Sequence, residues 1–310
     1  MPDAPAIRAA LGGFPDYELV DSGRRCKLER FGPVTVIRGE PKAWWEPNLP
    51  PKEWDQAQAI HDEDAGWDLR PGCPREWKLR CGDLTLLARI SDTSKHLGVF
   101  PEQSPHWEAI RQTAAPGARL LNLFGYTGAA TLVGAAAGWQ PTHVDASKPA
   151  VAWARENQAA SRLDDRPIRW IVEDAVKYVR REVKRGSRYD GILLDPPAFG
   201  RGPDGNVWKV ERQLPELLDL CREAFSEQPR LLLLTTYNVE ASALMLRNLV
   251  ADLMKPYGGQ IEVGELALPH TSAPDRLLPL SIYARWTAQI PAGLVVDSSV
   301  SKTPTGLPRG

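Results

Sequence analysis

The stretch LLNLFGYTGAATL, residues 120–132, joins a short apolar run to a helix of small residues through a loop that contains Gly125 and Gly128. Glycine permits tight turns and close approach of a ligand to the backbone, and the start of a helix offers unpaired N–H groups. The loop lacks the G-x-G-x-x-G spacing of a pyrophosphate-binding turn. By itself it fits a ligand-binding loop and a simple strand-to-helix turn equally well.

Residues 119–286 alternate short apolar runs with helical patterns, which predicts a parallel sheet covered by helices. Two of the later runs, 260–268 and 277–286, are joined by a turn-rich loop with no room for a helix, so they are predicted to form an antiparallel hairpin at the sheet edge. The other predicted strands are 119–124, 141–146, 168–172, 189–195 and 230–236, and the helices lie near 128–138, 148–161, 174–185, 211–226 and 239–254.

Acidic residues stand at the ends of the second and third predicted strands. Asp145, in the stretch VDAS, lies twenty positions after Gly125, where doubly wound folds place an acid against a ribose diol. Alternatively, it is a loop acid or a helix cap. Ser147 suits the N-cap of the next helix, with Pro149 in its first turn. Asp174 is predicted either to accept a hydrogen bond from an adenine amine or to cap the following helix, and the two roles are compatible.

The stretch LLDPPAFGRGPDG, residues 193–205, ends the fourth predicted strand in an acid and two prolines. Proline cannot donate to a sheet ladder, so Asp195 marks the point where the chain leaves the sheet. Pro196 and Pro197 push the preceding residues toward extended geometry and make the segment stiff. Since the glycine loop and the three acids all fall at the carboxyl ends of strands, a ligand site is predicted at that edge.

Taken in order, FGYTG, VDAS, EDA, LLDPPAF, TTYN and a terminal hairpin resemble class I S-adenosylmethionine-dependent methyltransferases over about residues 115–286. More narrowly, the chain is similar to the bacterial 23S rRNA methyltransferase family whose members carry DPPxF. The resemblance implies an α/β fold with a Rossmann-like seven-stranded sheet and S-adenosyl-L-methionine as cofactor. It places the cofactor against residues near the strand ends: Asn122, Phe124, Gly125, Tyr126, Thr127, Gly128, Asp145, Ala146, Ser147, Asp174, Ala175 and Asp195.

The segment HLGVFPEQSPHW, residues 96–107, is similar to the part of that family that leads into the catalytic domain and helps to close over the cofactor. The resemblance therefore places Phe100, Glu102 and Gln103 near the cofactor. The N-terminal PUA module of many members is not evident in this sequence.

The proline segment has a predicted catalytic role. Methyl transfer from a sulfonium is an in-line displacement that gains much from positioning. Asp195, Pro196 and Pro197 are predicted to form a rigid rim beside the methyl group, with the acid or the carbonyls accepting hydrogen bonds from a target base. Phe199 is predicted to stack on a base turned out of its helix. Alternatively, Phe199 is a hydrophobic plug beneath the glycine-rich loop that follows.

No cysteine follows the fifth predicted strand, where RNA cytosine-C5 methylases carry their nucleophile; Tyr237 and Asn238 occupy that region. A base nitrogen has its own lone pair and needs no such nucleophile. The prediction is therefore methylation of a base nitrogen of ribosomal RNA. Three alternatives stay open: a protein or small-molecule methyltransferase, an NAD(P)-linked oxidoreductase, and a non-catalytic binding module.

The sequence predicts three regions. Residues 1–114 form a small β-rich N-terminal domain with the cofactor-lid segment, 115–288 the methyltransferase domain, and 289–310 a disordered tail. A β-hairpin is predicted within 78–91. The tryptophan-rich stretch WWEPNLPPKEW, residues 44–54, is interpreted as structural packing, with an RNA-stacking platform as the alternative, because few basic residues surround it.

The composition is ordinary for a globular protein, with 43% hydrophobic and 25% charged residues and a net charge of −1. The near-neutral net charge does not indicate a nucleic-acid partner, but a local basic surface is compatible with that charge. No transmembrane segment and no secretory signal are predicted. The four cysteines lack zinc spacing, so no metal site is predicted, and reduced thiols indicate a cytoplasmic protein.

Overall fold

The computed structural model describes residues 6–9, 14–201 and 207–289. The predicted tail lies outside the described residues from position 290 onward, as does the loop 202–206. Within the described ranges, no helix has the length and apolar character needed to cross a membrane.

Short strands and one short helix make up the first part of the chain. They are β1 (Ala6–Ala9), β2 (Tyr17–Gly23), β3 (Cys26–Phe31), β4 (Val34–Gly39), α1 (Pro51–Trp54), β5 (Ala59–Asp62), β6 (Gly66–Leu69), β7 (Glu76–Cys81) and β8 (Leu84–Arg89). Strands β2 to β6 form a five-stranded sheet in sequence order, and β7 pairs with β8 alone. The β7–β8 turn contains Gly82 at φ 56°, so the hairpin predicted within 78–91 is confirmed.

Alternating helices and strands follow a short 3-10 turn at Pro101–Gln103. They are α2 (Ser104–Gln112), β9 (Arg119–Leu123), α3 (Ala129–Ala136), β10 (Gln140–Asp145), α4 (Lys148–Ala160), β11 (Arg169–Val172), α5 (Ala175–Lys184), β12 (Gly191–Leu194), β13 (Phe199–Arg201), β14 (Val207–Lys209), α6 (Val210–Ala224), β15 (Leu231–Thr236), α7 (Ala243–Met254), β16 (Gln260–Pro269) and β17 (Leu277–Thr287). The seven sheet strands and five helices predicted after residue 115 are all present.

The large sheet has the strand order β1-β16-β17-β15-β12-β9-β10-β11. Strands β9 to β12 and β15 are parallel, and β17 runs antiparallel to both β15 and β16. The predicted Rossmann-like seven-stranded sheet with a terminal antiparallel hairpin is therefore confirmed. The hairpin does not form the edge, however, because β1 pairs in parallel with β16 and adds an eighth strand that the sequence pattern did not reveal.

Both faces of the large sheet are covered. On β12, Ile192 and Leu194 pack into one cluster with α5, α6 and α7, whereas Leu193 between them packs into another with α2 and α3. This alternation follows from the two-residue period of a strand. The second cluster also contains Phe31 of β3 and Leu79 of β7, so the N-terminal strands share a core with the large sheet.

A buried ion pair joins β3 to β4. The Arg38 guanidinium donates from Nε to Glu29 Oε2 and from Nη2 to Glu29 Oε1, both at 2.8 Å, and Tyr17 donates to Oε1 at 2.9 Å. The Glu29 side chain is fully buried. Burial raises the pKa of a carboxyl, but Arg38 and Lys27 more than offset this and hold the pKa of Glu29 below its ordinary value.

Glu29→Gln is expected to lower the free energy of unfolding by about 3 kcal/mol, because Arg38 is left buried and charged beside a neutral amide. Urea unfolding measures the change. Glu18→Gln is the matched control, since its 2.8 Å pair with Arg30 is partly exposed and should contribute under about 1 kcal/mol. Equal losses in the two variants would contradict the importance of burial for the Glu29–Arg38 pair.

Candidate active site

A cavity of about 820 Å³ lies at the carboxyl ends of the parallel strands. That volume falls in the range of small-molecule sites. The cavity brings together twelve of the predicted site residues, which are Phe100, Glu102, Phe124, Tyr126, Asp145, Ala146, Ser147, Asp174, Ala175, Asp195, Pro197 and Phe199.

A second, smaller cavity of about 80 Å³ shares Phe100, Phe124, Tyr126 and Asp195 with the first. Its lining includes four further predicted contacts, which are Gln103, Asn122, Gly125 and Thr127. Gly128 and Pro196 line neither of these two cavities.

The loop between β9 and α3 has an unusual backbone. Phe124, Tyr126 and Gly128 all adopt positive φ, at 58°, 51° and 85°. Such values are uncommon for residues with a β-carbon and persist where surrounding structure enforces them. Gly125 is required for a different reason, since a β-carbon there would lie 2.4 Å from Cε1 of His143. The loop is therefore shaped by close packing against β10.

Tertiary hydrogen bonds hold this loop in place. The buried Asn157 of α4 donates from Nδ2 to the Thr127 carbonyl at 2.9 Å and accepts from the Leu87 N–H of β8 at 2.8 Å. Thr127 also donates from Oγ1 to the carbonyl of Gly98. These contacts connect the loop to the N-terminal hairpin and to the lid segment, so three separate parts of the chain fix its conformation.

Asp145 stands at the end of β10 and supports the loop from the cavity side. Its Oδ2 accepts from the Tyr126 N–H and its Oδ1 from the Ser147 N–H, both at 2.8 Å. Burial raises the pKa of Asp145, although the two N–H donors oppose the shift. Because a carboxylate has about four acceptor sites, each oxygen retains capacity for a hydroxyl donor such as a ribose diol.

Two of the predicted site residues cap helices. Ser147 Oγ accepts from the Ala150 N–H at 3.3 Å at the start of α4, and Asp174 Oδ1 accepts from the Lys177 N–H at 2.9 Å at the start of α5. The N-cap predicted for Ser147 and the capping alternative given for Asp174 are therefore both present in the structure. Both residues also line the larger cavity, so capping does not exclude ligand contact.

Asp195 presents an unpaired carboxyl oxygen. Its Oδ2 accepts from Gln103 Nε2 at 3.4 Å, and the same nitrogen donates to the Tyr237 hydroxyl at 2.6 Å. Its Oδ1 is buried and has no hydrogen-bond partner among the described residues. Burial, with a smaller contribution from the nearby Glu102 carboxyl, raises the pKa of Asp195 to about 8. An unpaired buried acceptor is costly, which indicates a site built for a ligand group.

The proline segment leads from Asp195 to the cavity mouth. Pro196 is buried and Pro197 is exposed, and the Pro197 carbonyl accepts from Trp208 Nε1 at 2.6 Å. Phe199 begins β13, which pairs with β14, and its side chain is 55% exposed. The segment is thus fixed by Trp208 and presents an aromatic ring near the unpaired acid.

Several residues of the cavity were not predicted from sequence. The sequence identifies Tyr237 only by its position after the fifth strand, where cytosine-C5 methylases carry a cysteine, and no sequence pattern links it to Gln103. Trp208 likewise lies in a stretch without a motif. The N-terminal strands supply a charged wall that includes Lys27, Arg38, Glu40, Lys42 and Lys95.

All four cysteines are free thiols, and none of them lines either cavity. Cys81 and Cys221 are buried, and burial raises the pKa of both thiols. Among the described residues, no group of three or more histidine, cysteine or acidic side chains is arranged to hold a metal ion.

Curated relatives match part of the chain, while no family model matches it. The chain is 36% identical over 142 residues to ribosomal RNA large subunit methyltransferase K/L of Pseudomonas aeruginosa, covering 45% of this chain and 19% of that protein. Ribosomal RNA large subunit methyltransferase K of Neisseria meningitidis is 30% identical over 124 residues, covering 39% of this chain and 35% of the relative. The chain thus spans about a fifth to a third of the length of these relatives.

Solved structures match nearly the whole chain. SMU.776, complexed with SAH, superposes with a TM-score of 0.69 at 18% identity over 90% of this chain and 77% of its own, which shows a shared fold. The SAM-dependent methyltransferase from Agrobacterium tumefaciens superposes with a TM-score of 0.86 at 42% identity, over 93% of this chain and 96% of that chain. With that identity over almost the full length of both chains, this protein belongs to the SAM-dependent methyltransferases.

Proposed function

We propose that this protein transfers the methyl group of S-adenosyl-L-methionine to a nitrogen of a base in ribosomal RNA. One observation carries the proposal: an unpaired, buried Asp195 oxygen lies in the same cavity as the Asp145 carboxyl and the exposed Phe199 ring. The names of the curated relatives, ribosomal RNA large subunit methyltransferases, support RNA as the substrate.

The residues at the strand ends fit the cofactor. Asp145 has acceptor capacity for the two ribose hydroxyls, and Asp174 and Ala175 line the same cavity one strand away, where an adenine would lie. Residues 124–127 of the loop and the lid residues Phe100 and Gln103 line the smaller cavity. When bound, S-adenosylmethionine supplies an electrophilic methyl group on a sulfonium.

The chain's own residues then hold the target base. The ionised form of Asp195, whose pKa in the unliganded protein is about 8, accepts a hydrogen bond through Oδ1 from the N–H edge of the base and aligns the attacking nitrogen lone pair for an in-line displacement. Gln103, itself held by Tyr237, fixes the second oxygen of Asp195. Phe199 stacks on the target base after that base has turned out of the RNA helix. Since no cysteine lines the cavities, a ring carbon that needs a covalent adduct is a poorer target than a nitrogen.

A cytoplasmic location accompanies this proposal. Ribosomal RNA is modified where ribosomes are made, and the four free cysteines support a reducing compartment.

Transfer of labelled methyl groups tests the substrate directly. With total RNA from cells lacking this enzyme, label from S-adenosylmethionine is expected in the large ribosomal RNA, and digestion to nucleosides should place it on a base nitrogen. Total protein from the same cells serves as the competing substrate. Label that enters only protein or small molecules would overturn the RNA substrate while leaving the family assignment intact.

Asp145→Ala is expected to weaken the affinity for S-adenosylhomocysteine by about tenfold to a hundredfold, because hydrogen bonds to a charged acceptor are lost. Isothermal titration measures the dissociation constant, and thermal unfolding checks that the loop still folds. Asp164→Ala, at an exposed acid that lines neither cavity, is the control and should bind normally. Normal binding by Asp145→Ala would refute the ribose assignment.

Asp195→Asn is expected to bind S-adenosylhomocysteine within about threefold of wild type and to lose at least about a hundredfold in transfer rate, because a neutral amide accepts more weakly than a carboxylate. If cofactor affinity falls as severely as in Asp145→Ala, the division of roles between the two acids is wrong.

The same variant should change the pH dependence of stability. A folded-state pKa of about 8 lies above the unfolded value, so the unliganded wild type loses stability as the pH rises from about 4 through 8. Asp195→Asn lacks this loss. The Tm of the variant minus the Tm of the wild type should therefore increase between pH 5 and pH 8.5. Parallel Tm curves for the two proteins would show that Asp195 ionises normally.

A further inference from the structure

Trp44 is a large apolar side chain left in solvent. It is 79% exposed, whereas its neighbours Trp45 and Trp54 are half-buried and donate hydrogen bonds to the Ser22 carbonyl and to Asp21. The packing expected for this tryptophan-rich stretch therefore holds for Trp45 and Trp54 but not for Trp44. A single exposed apolar side chain is not unusual by itself, so its significance depends on what surrounds it.

The backbone around Trp44 is rigid. Ala43 is fully buried, its carbonyl accepts from the Arg25 N–H at 2.7 Å, and the Trp45 carbonyl accepts from the Arg24 N–H at 2.7 Å. The Trp44 indole is itself fixed, since Nε1 donates to the Pro41 carbonyl at 2.7 Å. A ring held in place while exposed loses little conformational entropy when a partner stacks on it.

Trp44 adjoins the active-site cavity. Pro41, which holds its indole, and Lys42 both line the cavity that also contains Asp195 and Phe199. Trp44 itself is not part of the lining, but its indole is bonded to a residue that is.

One unpaired basic side chain lies close to Trp44 in the chain fold. Residues 24–46 contain six basic and three acidic side chains, but Lys27, Arg30 and Arg38 are in ion pairs. Arg24 pairs with Glu46 at 2.7 Å. Arg25 is exposed, and within the described part of the chain neither Arg25 nor Lys42 has a carboxylate within ion-pair distance. Lys42 donates from Nζ to the Leu280 carbonyl, so the unpaired positive charge next to Trp44 is that of Arg25, whose N–H bonds the Ala43 carbonyl. A free guanidinium next to an exposed indole favours a polyanion with stackable rings over an apolar protein surface.

We propose that Trp44 stacks on an unpaired RNA base neighbouring the target nucleotide, while Arg25 contacts the RNA backbone phosphate. This rests on the proposed RNA substrate and extends it, because it adds a second recognition point on the N-terminal part of the chain. Unpaired bases stacked on aromatic side chains are the usual basis of single-stranded RNA recognition.

Steady-state methylation of ribosomal RNA tests the proposal. Trp44→Ala is expected to raise KM for the RNA about tenfold with kcat and S-adenosylhomocysteine affinity retained, and Trp44→Phe to recover most of the loss. Ile60→Ala, at an exposed apolar residue of β5 that lines neither cavity, is the matched control and should leave KM unchanged.

Binding of a fluorescein-labelled, unstructured 12-nucleotide RNA gives a readout independent of activity. Trp44→Ala should weaken it about tenfold, and Arg25→Gln should reduce the slope of log affinity against log salt by about 0.7, as expected for one lost phosphate contact. If wild type methylates and binds RNA while Trp44→Ala does so equally well, this inference fails and the proposed function stands. If wild type neither binds nor methylates RNA, both fail.

Discussion

The buried amide of Asn157 ties the active-site loop to the rest of the molecule. Its nitrogen binds the Thr127 carbonyl and its oxygen binds the Leu87 N–H, so one side chain satisfies a backbone group on the loop and another on the N-terminal hairpin. Removal of the amide would leave both groups buried without partners, which costs more than the bonds themselves contribute. The position of the loop, and with it the bond from the Tyr126 N–H to Asp145, depends on this bridge.

The cavity is accordingly formed by two parts of the chain, the N-terminal part with the lid segment and the part that contains the large sheet. Gly98 of the lid segment packs against Trp153 so closely that a β-carbon would lie 2.2 Å from the ring, and its carbonyl accepts from Thr127. The N-terminal strands in turn share a hydrophobic core with the large sheet. A cavity formed this way has a preorganised shape, which suits a reaction that depends mainly on positioning.

Much of the fold follows from local pattern. The predicted strand 119–124 matches β9, and 230–236 matches β15, because buried parallel strands are uninterrupted apolar runs. The acids at the strand ends are predictable from sequence because each one stands where an apolar run stops. By contrast, β1 has only a short pattern and a distant partner, and the bond between Gln103 and Tyr237 joins residues 134 positions apart. Such contacts cannot be predicted from local sequence, and neither can the charged wall to which Lys27 and Lys42 contribute.

The pairing of β1 with β16 has a consequence for synthesis on the ribosome. Arg8 of β1 bonds Glu262 of β16, 254 residues later, and β17 must enter between β15 and β16 before that side of the sheet exists. Vectorial, N-to-C-terminal folding therefore cannot complete this edge as the chain emerges. The residues of β1 have no sheet partner until nearly 290 residues have been synthesised. During that interval the nascent chain depends on other contacts or on chaperones.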